Sequence, residues 1–184
     1  MAGERCAGAR RGLAKLGISK FGVRREIDLA CPCGRARTSK EPWSGFVRVP
    51  LRESIAVGIE EVREESTEVE YGCKRCRKST THQKKTRLRD VGRDILLRIE
   101  RFDADTRRKK RRHISFAEEE NLFGEMWKLR GVIVHRGRSA DDGHYYAYVG
   151  RDGRWFKCND ESVAEVTTTE VLRAQAYVLH YSRK

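Results

Sequence analysis

The sequence predicts an α+β fold built on an antiparallel sheet. Three features carry that expectation. Most apolar segments of the second half alternate with a period of two, Gly-containing links separate them, and one stretch, Ile55, Ile59 and Val62, recurs at i, i+4 and i+7 like one face of a helix. A chain of 184 residues fits one such domain.

Residues 1–17 are rich in Ala, Gly and Arg, have no clear period, and are left as a basic lead-in without a fold of their own. Beyond them Val23, Ile27 and Leu29 share one parity and read as a strand running into Cys31. Phe46 to Leu51, short, apolar and partly β-branched, reads as a second strand, and the helix at 55–62 follows. Glu60, Glu61, Glu64, Glu65, Glu68 and Glu70 then face a single Arg63, an acidic stretch suited to a basic protein surface. Ile95, Leu97 and Ile99 alternate as a strand, with a hairpin return expected at His113 to Phe116 beyond the basic run Arg107–Arg112. Leu129–His135, His144–Val149, Arg154–Cys158 and Ala176–Tyr181 are further strands. Thr167 and Glu170 have capping-box spacing for a short helix through Leu172.

Lys and Arg number 40 against 27 Asp and Glu, a formal charge of +13. Such a chain binds nucleic acid non-specifically in low salt, yet the aromatic pair, Gly loop and Cys/His finger of dedicated readers are absent. A zinc-ribbon nucleic-acid binder is therefore the lesser reading. No run approaches the ~18 apolar residues of a membrane helix, so no membrane partner is expected. The first residues lack the apolar core of a secretory signal, which points to the cytoplasm or nucleus, where thiols stay reduced.

Metal binding then outranks disulfides for the cysteines. Cys31-Pro32-Cys33 and Cys73-Lys74-Arg75-Cys76 are two close pairs, the pattern by which four thiolates enclose a tetrahedral structural Zn2+. The first pair is tight, but side chains at i and i+2 of an extended chain point the same way.

His144 begins one strand and Asn159-Asp160 ends the next. A two-residue loop at 151–152 sets Asn159 opposite His144, a loop at 152–153 sets it diagonally on the same face, and a three-residue loop brings Asp160 opposite. In each case the Asn or Asp oxygen is expected to accept the imidazole Nδ1–H and leave Nε2 free as a base.

These segments resemble the C-terminal half of the ubiquitin-specific protease family of cysteine deubiquitinases. The resemblance rests on Gly131–Ser139 with His135, Gly143-His144-Tyr145-Tyr146, Trp155, Asn159-Asp160, Ala176–Tyr181, Asp94–Phe102 ending in Arg-Phe, and the knuckles at Cys31-Pro32-Cys33 and Tyr71–Cys76. It spans about residues 18–184 in one order. It implies a papain-like hand, with fingers at about 23–90 that carry the zinc and grip ubiquitin, and a palm at about 91–184. It also implies His144 as general base, Asn159 as its orienter, Asp160 as an adjacent polar group, and a mobile loop at Gly137–Gly143, while His135 reads as structural.

The family's nucleophile lies in a box of the type Gly-Asn-Thr-Cys-Tyr on a thumb subdomain, and these 184 residues contain no such box. Gly12–Gly17 is similar to its approach, but Cys6 is the only cysteine before the knuckles and Cys158 should face away from Asn159's side of its strand. The expectation is a thumbless domain, a fragment or inactive by itself. The alternative is a non-catalytic ubiquitin-binding or scaffold protein.

Overall fold

The computed structural model describes residues 21–139 and 142–184, so Cys6, the 12–17 segment and Asp141 lie outside it. Twelve strands form two sheets among the described residues. The smaller has the order β2-β1-β5-β4, from β1 (Val23–Ala30), β2 (Ala36–Lys40), β4 (Glu64–Cys73) and β5 (Lys78–Val91). The larger runs β11-β10-β9-β8-β12-β6-β3, with β7 (Glu119–Leu122) also on β8. Its members are β3 (Phe46–Pro50), β6 (Asp94–Glu100), β8 (Glu125–Arg136), β9 (His144–Arg151), β10 (Arg154–Asn159), β11 (Ser162–Val166) and β12 (Ala176–Arg183). Two helices among the described residues, α1 (Ile55–Arg63) and α2 (Thr168–Leu172), complete the order.

The alternation read from the sequence places the core. Ile95, Leu97 and Ile99 of β6 are wholly buried, and across them lie Leu179 and Tyr181 of β12, then Val132 and Leu129 of β8, all on one face of the larger sheet. Helix α1 closes that face. Ser54 Oγ caps it by accepting the Val57 N–H, Ile55 and Ile59 are buried, and a Cβ on Gly58 would lie 2.5 Å from Val49 Cγ1, so glycine lets the helix sit close to β3. Trp127 fills the far end and donates its indole N–H to Leu122 O at 2.9 Å.

Several elements differ from expectation for physical reasons. The larger sheet is antiparallel except at β3, which runs parallel to β6 because the intervening chain passes through α1 and the small sheet before returning. Residues 46–63 therefore sit with the larger sheet. No strand forms at 113–116: β6 is already flanked by β12 and β3, and Ile114 and Phe116 turn into the core while Ser115 bonds to the backbone of Glu53 and Ile55. Strands β2, β4, β5, β7 and β11 carried little apolar alternation.

The small sheet holds itself together by charge. Glu64 pairs with Lys85 and Arg87, Arg87 also with Asp28, Arg24 with Asp90, and Arg89 with Glu26. Glu68 and Glu70 accept from Gln83 and from Ser79 and Thr81. Half of the acidic stretch, Glu64, Glu68 and Glu70, is thus answered by β5, while Glu60 pairs with Arg63 and Glu61 with Arg52. No described helix is long and apolar enough to cross a membrane.

Candidate functional site

The two cysteine pairs meet at one end of the small sheet. Cys31 and Cys33 lie in the turn from β1 to β2, where the Gly34 N–H bonds back to Cys31 O, so a tight turn and not an extended segment aims both sulfurs inward. Cys73 ends β4 and Cys76 sits in the turn to β5, its N–H donated to Cys73 Sγ at 3.5 Å. All four sulfurs lie within 4.8 Å of one another, with Cys31 to Cys76 at 3.8 Å and Cys33 to Cys73 at 3.7 Å. A tetrahedron with zinc–sulfur bonds of about 2.3 Å has edges of about 3.8 Å, so the donor set fits that ion. The thiol of Cys31 is held below its ordinary value chiefly by the Thr80 hydroxyl, whereas Cys33 and Cys73 push that of Cys76 up. Four thiols so close do not all ionise unless a cation joins them.

The second cluster is built by the β9–β10 hairpin. Its turn residues, Asp152 and Gly153, have φ of 51° and 76°, the left-handed pair of a tight two-residue loop. The register pairs Arg151 with Arg154 and Ala147 with Cys158, so Asn159 continues opposite Tyr146 and His144 is its diagonal neighbour on the same face. Diagonal neighbours stand about 7–8 Å apart at Cα, and the far ring nitrogen spans that gap. Nε2 of His144 lies 2.6 Å from Asn159 Oδ1. The residues meet as expected, but the ring is reversed from the Nδ1 contact read from the sequence. An amide oxygen only accepts, so Nε2 carries the proton and Nδ1 keeps its lone pair. Asp160 opens the next turn with φ of 52° and places a carboxylate oxygen 3.6 Å from the same Nε2, a charge neighbour rather than a hydrogen-bond partner.

His144 is about half exposed and lines an open cleft of about 1010 Å³ between the 107–112 run, the end of β8 and α2. The loop after β8 packs down on His135, which is 1% exposed. A Cβ on Gly143 would lie 2.0 Å from His135 Nε2, and one on Gly137 would lie 2.7 Å from its Cε1, so the loop reaches the ring only through glycines. Phe102, at 5.3 Å and edge-on, and Tyr145, at 4.8 Å, cover the rest. Burial and then Lys109 push the His135 imidazole down, so it stays neutral near pH 7.

Arg101, next to Phe102, is fully buried. Its guanidinium donates to the carbonyls of Ala176, Lys110 and Arg112, which pins the start of β12 and the basic run beside the cleft. Burial lowers its pKa to about 10, leaving it charged. Glu170 is used differently from the capping-box expectation. Thr167 Oγ accepts the Glu170 N–H, but the carboxylate turns to the Tyr148 hydroxyl at 2.9 Å and to Lys157. Sequence reasoning gave no role to Phe102, Lys109 or Lys157; the Arg-Phe end of the 94–102 segment was the available signal for the first. Of the described cysteines, four are gathered at the knuckles, and Cys158, one residue before Asn159, faces the other side of the sheet from His144.

Comparison with known proteins matches this chain to one family. Residues 51–181 fit the profile described as ubiquitin carboxyl-terminal hydrolase. The chain is 37% identical over 124 residues to ubiquitin carboxyl-terminal hydrolase 25 of Arabidopsis thaliana, covering 61% of this chain and 19% of that protein. It is 32% identical over 164 residues to ubiquitin carboxyl-terminal hydrolase 3 of Homo sapiens, covering 80% of this chain and 31% of that protein. Among solved structures, the SAGA Ubp8/Sgf11/Sus1/Sgf73 DUB module bound to ubiquitin aldehyde superposes with a TM-score of 0.72 at 23% identity, over 89% of this chain and 41% of that one. That likeness shows the fold. The chain spans a fifth to a third of the length of these curated relatives.

Proposed function

From membership of the ubiquitin carboxyl-terminal hydrolase family, to which this chain belongs, we propose that it is the base-bearing and ubiquitin-gripping part of a thiol-dependent deubiquitinase. The reading is carried by one observation, the His144 Nε2 contact with Asn159, which leaves the Nδ1 lone pair to receive a thiol proton. Asn159 fixes the ring, and the Asp160 carboxylate lies 3.6 Å from the same Nε2. The small sheet acts as fingers and the larger as palm. Cys31, Cys33, Cys73 and Cys76 hold one structural zinc that locks the two finger turns together, and four sulfur ligands leave it no open position for substrate.

No described thiol stands beside His144 and the 184 residues hold no Cys box, so on this reading the nucleophile is supplied by a segment bearing that box and the 184 residues alone are expected not to hydrolyse. The test is release of fluorophore from a ubiquitin C-terminal conjugate. The chain alone should give none, and its fusion to a Cys-box segment should be active. Hydrolysis by the chain alone that Cys6→Ala or Cys158→Ala abolishes would contradict the assignment, as would an inactive fusion that binds ubiquitin.

A further inference from the structure

The cleft beside His144 has a charge that the hydrolase reading does not require. Among the described residues that line it, six cations from four separate parts of the chain converge, Lys109, Arg111, Arg136, Arg138, Lys157 and Arg173, against one carboxylate, Glu170, with Asp160 beside His144 at the edge. The Glu170 carboxylate is already engaged by the Tyr148 hydroxyl and by Lys157. The other five cations have no ion pair with any described carboxylate. Arg136 is the direct cross-strand partner of His144, so the charge reaches the candidate base itself.

Two observations show that this is more than a solvated basic surface. Lys109 is half-buried with its ammonium on the His135 carbonyl, and burial, Arg101 and Arg111 all lower its pKa. Behind it Arg101 is fully buried among carbonyls and, although it lines the neighbouring cavity rather than this cleft, its charge acts on Lys109. Buried cations are normally paired, and a concave wall focuses the field of those that are not. An anion entering the cleft supplies the missing charge.

The lining distinguishes the kinds of anion. Single-stranded nucleic acid needs free aromatic faces for its bases. Here Tyr148 is 3% exposed and Lys157 sits over Tyr146 at 5.0 Å, so neither ring is offered. Asn159, Thr167, Thr169 and Gln175 instead line the cleft with the amide and hydroxyl groups that suit a polypeptide backbone. We propose that the cleft binds an extended acidic peptide segment, which on the hydrolase reading, on which this rests, is the stretch of target protein flanking the attached ubiquitin.

The experiment is fluorescence anisotropy of a labelled decapeptide of alternating Glu and Ser with the full 184-residue chain near physiological salt. Arg136→Glu with Arg138→Glu should weaken binding by about tenfold or more, and the equal charge change Arg35→Glu with Arg37→Glu, on the exposed end of the small sheet, by less than about threefold. Circular dichroism checks that both variants are folded. Failure of the peptide to bind, equal weakening by the two variants, or tighter cleft-dependent binding of a dT decanucleotide would overturn the proposal. Because no ubiquitin and no hydrolysis enter this assay, an inactive fusion with intact peptide binding would remove the hydrolase reading alone, and the reverse result would remove this site alone.

Discussion

Gly143→Ala converts the packing of the loop beside His144 into a number. The added methyl carbon would lie 2.0 Å from His135 Nε2, 2.6 Å from its Cε1 and 2.9 Å from Arg136 O. An ordinary contact needs about 3.5 Å, so ring and loop must separate by about 1.5 Å. The ring has little room to yield, with Phe102 at 5.3 Å and Tyr145 at 4.8 Å between centroids. Overpacking of this kind costs about 1–3 kcal/mol, which for a domain of this size lowers the unfolding temperature by about 2–12 °C. Gly72→Ala is the control, because its Cβ would meet nothing within 4 Å. Thermal unfolding of the two variants, with the imidazole resonance of His144 followed in parallel, makes the comparison. Gly143→Ala should be less stable and should shift that resonance, whereas Gly72→Ala should change stability by no more than about 0.5 kcal/mol. Two variants indistinguishable from wild type would refute the claim that His135 and the glycines set the loop.

Purified chain should carry about one equivalent of zinc, and a strong chelator or Cys73→Ser with Cys76→Ser should lower its unfolding temperature; metal-free protein of unchanged stability would count against the site. The charged ladder of the small sheet should make stability fall with acid. Asp28 is held below the ordinary carboxylate range by the Thr38 hydroxyl and Arg87, and Glu64 by Lys85 and Arg87. Their contribution is complete above the unfolded values of about 4 and lost as pH drops through the lower folded ones. The urea midpoint should therefore fall between pH 5 and pH 3, and fall less in Asp28→Asn; identical pH dependence in the two would show that Asp28 contributes nothing.

What was legible in the sequence follows from where burial is one-sided. Ile95, Leu97 and Ile99 alternate because only one face of β6 meets the core, and the capped helix at Ile55, Ile59 and Val62 is visible for the same reason. Strands β4 and β5 are polar on both faces and are joined by cross-strand pairs such as Glu64 to Arg87, so no apolar period marks them. The hairpin return at 113–116 was misread because Ile114 and Phe116 are buried without being in a strand. At the candidate site, the spacing of His144 and Asn159 limited the hairpin to a few registers. Which ring nitrogen meets Asn159 depended on the diagonal offset, which only the turn at Asp152-Gly153 decides. The cations of the cleft come from segments far apart in the chain, and no local pattern joins Lys109 to Arg173.

The central claim is that His144 is a base held by Asn159, and the rate of ubiquitin-conjugate hydrolysis by the Cys-box fusion tests it most directly. Proton transfer by a positioned base is worth about 10²–10⁴ in rate, so His144→Ala should reduce turnover by that order. Asn159→Ala should cost less, because the ring then loses its orientation but not its lone pair. A fusion in which His144→Ala retains the parent rate, or loses less than Asn159→Ala does, would contradict the account.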